Sequence, residues 1–395
     1  VTVIAIGTAL PPWGTEAARV VGADEDAVTL AVDAGRAAIG ASGGATVERV
    51  VLVSRDLPLL EGGNGAALVA GLGLPAGTEV VEQVGGAPAA LDQIAGAAAG
   101  TLVIGADTSV ASGAAAAVIG TGPGLVVERV ARVQRSLPVR ARGRDGVLHH
   151  YDDPRLVRER GVRVALAEAG IDRKAVAVAG LTGKDAAALC EAAPPRLPTI
   201  GASAPMFALA WLTESSATGL VLAFEQASMT AVDVSGGGAA LARVEPAARP
   251  LPSQRCTPGP EIKISLPAYE RAFEAKLRLE AGRCPDCGTL AVPVRFRCLG
   301  CGSEGRSTLV ALPRDAVVYT TATIHTPVPG LATPYTIVIA ELGDTGVRLL
   351  ARLTGAEPGS VAIGDRGTMV LRRVADRSGV PDYGYAFLPD AAVAR

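Results

Sequence analysis

Four cysteines between Arg283 and Gly302 limit what the C-terminal part of this chain can become. They form two C-x2-C pairs, Cys284 with Cys287 and Cys298 with Cys301, separated by ten residues. Each pair can bend round one metal ion as a knuckle, and Gly288 and Gly302, directly after the second cysteines, free the backbone to turn. Four thiolates close a tetrahedral shell with no open position, so the pattern predicts one structural Zn2+ ion held by Cys284, Cys287, Cys298 and Cys301. Two disulfides or four ordinary buried thiols are the alternatives. Neither explains the paired spacing and its following glycines.

The chain has 395 residues, 49% of them apolar, which is enough for two or three domains with sizeable cores. A formal charge of −2 gives no electrostatic footprint for nucleic acid or an anionic membrane. No apolar run approaches the roughly 20 residues that a membrane span requires. The opening Val1-Thr2-Val3-Ile4-Ala5-Ile6-Gly7 is too short and too uncharged for a secretory signal. Six cysteines, four of them claimed by the metal pattern, fit a reducing compartment, so a cytoplasmic location is expected.

Residues 1–245 alternate short apolar runs with Ala-rich segments. Val3–Gly7, Val50–Val53, Leu102–Ala106 and Leu220–Phe224 suit strands buried on both faces, and Asp26–Ile39 and Pro88–Ala99 suit closely packed helices. This predicts an α/β layered fold. An internal echo sharpens it. The stretch Asp24–Ile39 leads to Val47–Val53 as Asp152–Leu166 leads to Ala175–Ala179, both opening with acids at a helix start. Leu102–Asp107, with a Gly-rich hairpin expected at 119–128, is matched by Leu220–Glu225 with Gly236-Gly237-Gly238. Two similar halves are expected, about 1–135 and 136–248.

On the segments Gly73-Leu74-Pro75, Gly85–Leu91, Leu102–Asp107 and Ile200–Ser203, this region resembles the thiolase superfamily, nearest its 3-hydroxy-3-methylglutaryl-CoA synthase and ketoacyl synthase III branch. The resemblance implies an α/β/α/β/α sandwich and a cysteine nucleophile supported by a histidine and an asparagine. The nucleophile's segment reads Val84–Leu91 and begins with valine. The histidine's position falls at Ala179, before Gly180–Lys184, and the asparagine's at Ala202. All three are inert, and His149, His150 and His325 lie elsewhere. Cys190, late on an expected helix, and Cys256, in a Pro-rich linker, lack the marks of an activated thiol. No catalytic residue is therefore expected in the thiolase-like region.

Pro250–Pro260 marks a boundary rich in proline. After it, Pro267–Glu280 reads as an amphipathic helix leading into the cysteine pattern. The runs Ala316–Ile324, Tyr335–Leu342, Val347–Leu353 and Gly367–Arg372, separated by Gly/Pro turns, predict a small antiparallel barrel. Helix, ribbon and five-strand barrel, with Gly288-Thr289-Leu290 and the closing Tyr385–Pro389, resemble the DUF35 family of zinc-ribbon OB-fold proteins over residues 262–391. Phe296, Tyr319 and Tyr335 could stack on bases, but without an extended basic tract no nucleic-acid partner is expected. Arg295 and Arg297, flanking Phe296, are candidates to meet CoA phosphates, against the alternative of ordinary solvated arginines. His325 reads as a structural loop histidine.

The expected organisation is a thiolase-like domain at 1–248, a linker at 249–261, a helical lead-in at 262–282, a zinc ribbon at 283–303 and an OB-fold at 304–395. The two resemblances together imply a non-catalytic or auxiliary acyl-CoA-binding subunit. It would form a homodimer through the thiolase-like domain and partner a separate active thiolase, ketoacyl synthase or thiolase-like aldolase in carbon–carbon bond formation or cleavage. The alternatives are an active HMG-CoA synthase-like acyltransferase with unrecognised catalytic residues, and an acyl-CoA binding protein.

Overall fold

Thr2–Ala9 (β1) is buried along most of its length and lies inside a ten-stranded sheet, as a run apolar on both faces requires. The structure is a computed structural model that describes residues 1–142, 147–151, 153–257, 265–305 and 307–393. The chain forms two units. The first comprises Val1–Leu10, Asp33–Leu57 and Gly77–Val244, and the second Pro11–Val32, Pro58–Ala76 and Glu245–Arg395.

In the first unit β1 is followed by β2 (Arg49–Ser54), β3 (Glu79–Val84), β4 (Thr101–Asp107), β5 (Gly113–Ile119), β6 (Gly124–Val133), β7 (Ala177–Ala179), β8 (Gly219–Glu225), β9 (Ser228–Gly237) and β10 (Ala240–Val244). The order across the sheet is β7-β8-β9-β6-β1-β5-β4-β2-β3, and β10 also pairs with β1. Outward from the β6–β1 junction the two sides repeat one plan. β5 and β9 run antiparallel to both neighbours, and β4, β2 and β3 are parallel, as are β8 and β7. The echo read from sequence falls on equivalent positions, β2 with β7 and β4 with β8. Where the first half has β3, the second has a single bridge from Cys190 to Ala175.

The hairpin expected at 119–128 does not form. β5 and β6 instead flank β1 and pair with it from either side, because β1 is apolar enough to take a central place between them. The helical stretch of the second half runs as Pro154–Leu156, a π-helical turn at Val157–Val162 and Arg163–Ala169. Asp153 caps it by accepting the Arg155 N–H at 3.1 Å, whereas Asp152 lies outside the described residues.

Helix α1 (Ala27–Ala41) has one face toward β1, while α2 (Ala87–Gly96) and α3 (Ala204–Ser215) pack against each other and against strands of both halves. Leu91 and Ile94 of α2 and Phe207 and Leu209 of α3 join Val3, Ile6, Val103 and Val221 in one buried cluster. From Ala204 to Ala210 every residue of α3 is buried, as a helix apolar on all sides must be. The result is an α/β layering with its paired helices inside.

In the second unit α4 (Leu266–Arg278) leads into a three-stranded ribbon sheet of β11 (Glu280–Arg283), β12 (Leu290–Ala291) and β13 (Thr308–Ala311), ordered β12-β11-β13. Five antiparallel strands follow: β14 (Asp315–Ile324), β15 (Tyr335–Leu342), β16 (Arg348–Arg352), β17 (Arg366–Arg377) and β18 (Val380–Pro389), ordered β16-β15-β14-β17-β18. A bridge between Leu353 and Phe387 joins the two edges and closes the barrel. β15 alternates half-buried and buried positions along its length, the period-two pattern that its sequence carries.

Pro11–Val32 and Pro58–Ala76 belong to this unit, although composition places them in the expected domain 1–248. What holds them is polar and long-range. The Arg373 N–H donates to the Asp24 carbonyl at 2.9 Å, Tyr383 Oη donates to Asp26 at 2.8 Å, and Arg314 donates to the Gly71 carbonyl at 2.7 Å. Arg372 and Glu25 form a buried ion pair at 3.7 Å. Arg249, expected in the linker, lies over the Trp13 ring and donates to the carbonyls of Gly355 and Ala392. Residues 258–264, which end the expected linker and begin the helical lead-in, lie outside the described residues. Among the described residues no helix is long and apolar enough to cross a membrane.

Candidate functional site

The four ribbon cysteines converge. Their sulfurs all lie within 4.8 Å of one another, with Cys284 and Cys301 at 3.8 Å and Cys287 and Cys298 at 3.5 Å. A tetrahedron with metal–sulfur bonds of about 2.3 Å has edges of about 3.8 Å, so the donor set fits a single ion. Each knuckle closes on its glycine. The Gly288 N–H donates to the Cys284 carbonyl at 3.0 Å and the Gly302 N–H to the Cys298 carbonyl at 3.1 Å, and both glycines have left-handed φ, 76° and 77°. The Cys284 thiol is lowered to about 6, first by the Ser303 hydroxyl and then by the amides of Cys287 and Asp286. These four cysteines could hold a metal ion.

The positions that the thiolase resemblance assigns to catalysis are not brought together in one cavity. Ala179 and Ala202 are buried in the core, whereas Val84, at the end of edge strand β3, is 70% exposed. Gly180 and Gly201, the neighbours of the two buried alanines, line a cavity of about 160 Å³ with Arg55, Asp107, His150 and Glu225. Val84 is not among its lining residues. The Cys190 thiol is buried beneath the second half, and burial pushes it up, which leaves it protonated and weakly nucleophilic at neutral pH.

Two acids organise this cavity. Glu225 ends β8, pairs with the Arg55 guanidinium and accepts the Gly86 N–H, at the start of α2, at 3.0 Å. Asp107 ends β4 and accepts the N–H groups of Ala202 and Ser203, at the start of α3, at 2.8 and 2.9 Å, and the Ser203 hydroxyl at 2.6 Å. Desolvation pushes the Asp107 carboxyl above the usual range, against the opposing hydrogen bonds from Ser203 and Ala202. Gly201 must be glycine here, because a Cβ would lie 1.9 Å from Asp107 Oδ1. β4 and β8 are equivalent strands and α2 and α3 equivalent helices. Each half therefore ends its strand on an acid that caps the central helix of the other half. The amide at Gly86 is thereby satisfied within the chain. Sequence reasoning did not assign these acids a role. The available signal was that both matched runs, Leu102–Asp107 and Leu220–Glu225, end in a carboxylate.

In the second unit Arg295 and Arg297 are exposed on either side of Phe296, itself 73% exposed, and all three line a hollow of about 720 Å³ with Pro293 and Leu299. Pro293 also lines a separate apolar cavity of about 600 Å³, walled by α4, the ribbon and the barrel through Ala275, Leu279, Leu312, Ile337, Leu349 and Met369. That cavity was not legible in the sequence, because its walls come from residues scattered between 275 and 385 that each read as ordinary core.

A family model described as "ChsH2, C-terminal OB-fold domain" matches residues 309–372. A DUF35 domain-containing scaffold protein of Methanocaldococcus jannaschii is 32% identical over 111 residues, 27% of this chain and 78% of that protein. A protein of the same description from Methanothermobacter thermautotrophicus is 28% identical over 123 residues, 30% of this chain and 92% of that protein. Among solved structures, a point variant of OleA from Xanthomonas campestris aligns with a TM-score of 0.50 at 14% identity, covering 59% of this chain and 97% of that one. That likeness is one of fold alone. With 32% identity over 78% of the length of the Methanocaldococcus jannaschii protein, this chain belongs to the DUF35 domain-containing protein family, while also carrying a unit of thiolase-like fold.

Proposed function

We propose that this chain is an auxiliary, non-catalytic subunit that docks an active thiolase-type enzyme and supports carbon–carbon bond formation or cleavage on a CoA thioester. The observation that carries this reading is the capping of both central helices by carboxylates of the chain itself. Thiolase-type chemistry needs a thiolate and free donors at those helix starts. Here Glu225 occupies the Gly86 amide, Asp107 occupies those of Ala202 and Ser203, and Val84 stands in the nucleophile's place. In this reading the four cysteines hold one structural zinc ion, and Arg295 and Arg297 meet the phosphates of CoA. Edge strand β3, half-exposed along its length with Val84 uncovered, pairs with its counterpart in a second copy to give a homodimer in the cytoplasm.

The test is reconstitution. The purified chain should bind a CoA thioester without turning it over, and should form a stable complex with a thiolase-type enzyme from the same cell. A chain that condenses or cleaves acyl-CoA by itself would refute the proposal.

A further inference from the structure

The apolar cavity of the second unit is larger than anything the sequence foresaw. At about 600 Å³ it falls within the range of small-molecule sites, roughly 300–1,000 Å³. It has room for about twenty groups of the size of a water molecule. Ala275 and Leu279 of α4, Val292 of the ribbon and Ile337, Leu349 and Met369 of the barrel supply apolar walls. A cavity of this kind gains nothing from water and takes an apolar guest.

Its charged groups narrow the guest further. Lys276 is paired with Asp382 at 2.6 Å, and Arg352 donates to the Val374 carbonyl at 2.5 Å. Both cations that line the cavity are thus already engaged, which disfavours a buried carboxylate and favours a neutral hydrocarbon joined to a polar head outside. Pro293 supplies the path. It lines this cavity and also the hollow that holds Arg295, Phe296 and Arg297.

Building on the proposed handling of CoA thioesters, we infer that this cavity holds the hydrocarbon part of a long-chain acyl thioester, whose CoA head lies against the ribbon arginines. An acetyl group would leave the cavity almost empty, so the site selects for bulky apolar acyl groups.

The experiment is calorimetric titration of the full-length chain with palmitoyl-CoA (below its micelle concentration), acetyl-CoA and free CoA. Palmitoyl-CoA should bind at least tenfold more tightly than acetyl-CoA. Ala275→Phe, which fills the cavity from α4, and Ala351→Met, which fills it from β16, should each remove that preference while leaving acetyl-CoA affinity unchanged. Unaltered metal content and circular dichroism would show that the variants fold. Equal affinity for the two thioesters, or a preference that survives both variants, overturns the cavity assignment and leaves CoA binding intact. Absence of binding by all three ligands overturns both the assignment and the CoA reading beneath it.

Discussion

The Glu225 carboxylate accepts the Gly86 N–H at 3.0 Å across 139 residues of sequence and so caps the start of α2 while it is paired with Arg55. Its counterpart Asp107 does the same for α3. Each half of the first unit thus caps the central helix of the other with a carboxylate of its own.

One expectation is chemical. Exposed to acetyl-CoA or acetoacetyl-CoA, the full chain should show an unchanged intact mass. Cys190 should also resist iodoacetamide at neutral pH, since it is buried and its thiol is held protonated. A stable acyl adduct on Cys190 or Cys256 would instead favour an enzyme.

The cap geometry has a stability signature. Gly201→Ala places a methyl 1.9 Å from Asp107 Oδ1 and must push the carboxylate off its three donors. The expected cost is about 1–3 kcal/mol, the usual range for overpacking, read as a lower urea midpoint with an unchanged slope. No change in midpoint would mean that the cap is dispensable.

For the metal, pure protein should contain close to one equivalent of zinc per chain. Cys298→Ser should lose the ion and raise amide hydrogen exchange across the ribbon and barrel, while β1–β9 stay protected. A fully folded, metal-free chain would contradict the closed four-thiolate site.

Glu25→Ala leaves the Arg372 guanidinium buried without its carboxylate. Breaking a buried pair from one side costs about 3–5 kcal/mol, partly relieved here because Arg372 also donates to Thr354 and to the Leu371 carbonyl. Denaturation followed in the barrel should detect the loss. An unaffected barrel would mean that Pro11–Val32 is not integral to the second unit.

Much of this architecture was legible because it is local. The cysteine spacing marked the ribbon, two-sided apolar runs marked β1, β2, β4 and β8, and turn-bounded alternation marked four of the five barrel strands. What escaped depends on partners distant in sequence. The hairpin at 119–128 failed because β1 pairs with both of its arms. The placement of Pro11–Val32 rests on Asp24, Glu25 and Asp26 meeting Arg373, Arg372 and Tyr383, and nothing in the composition of either segment announces such pairs. Arg55 and Glu225 went unassigned for the same reason, since a charged residue at a strand end reads locally as a solvated terminus.

In the proposed function this chain assists a catalyst and is not one. The most direct measurement is affinity purification of the tagged chain from its native cell, followed by assay of the eluate for carbon–carbon bond formation and cleavage on CoA thioesters. The expected result is co-elution of a thiolase-type enzyme with an intact nucleophilic cysteine, and activity that disappears when that enzyme is stripped away. Recovery of this chain as a lone homodimer with full activity would contradict it.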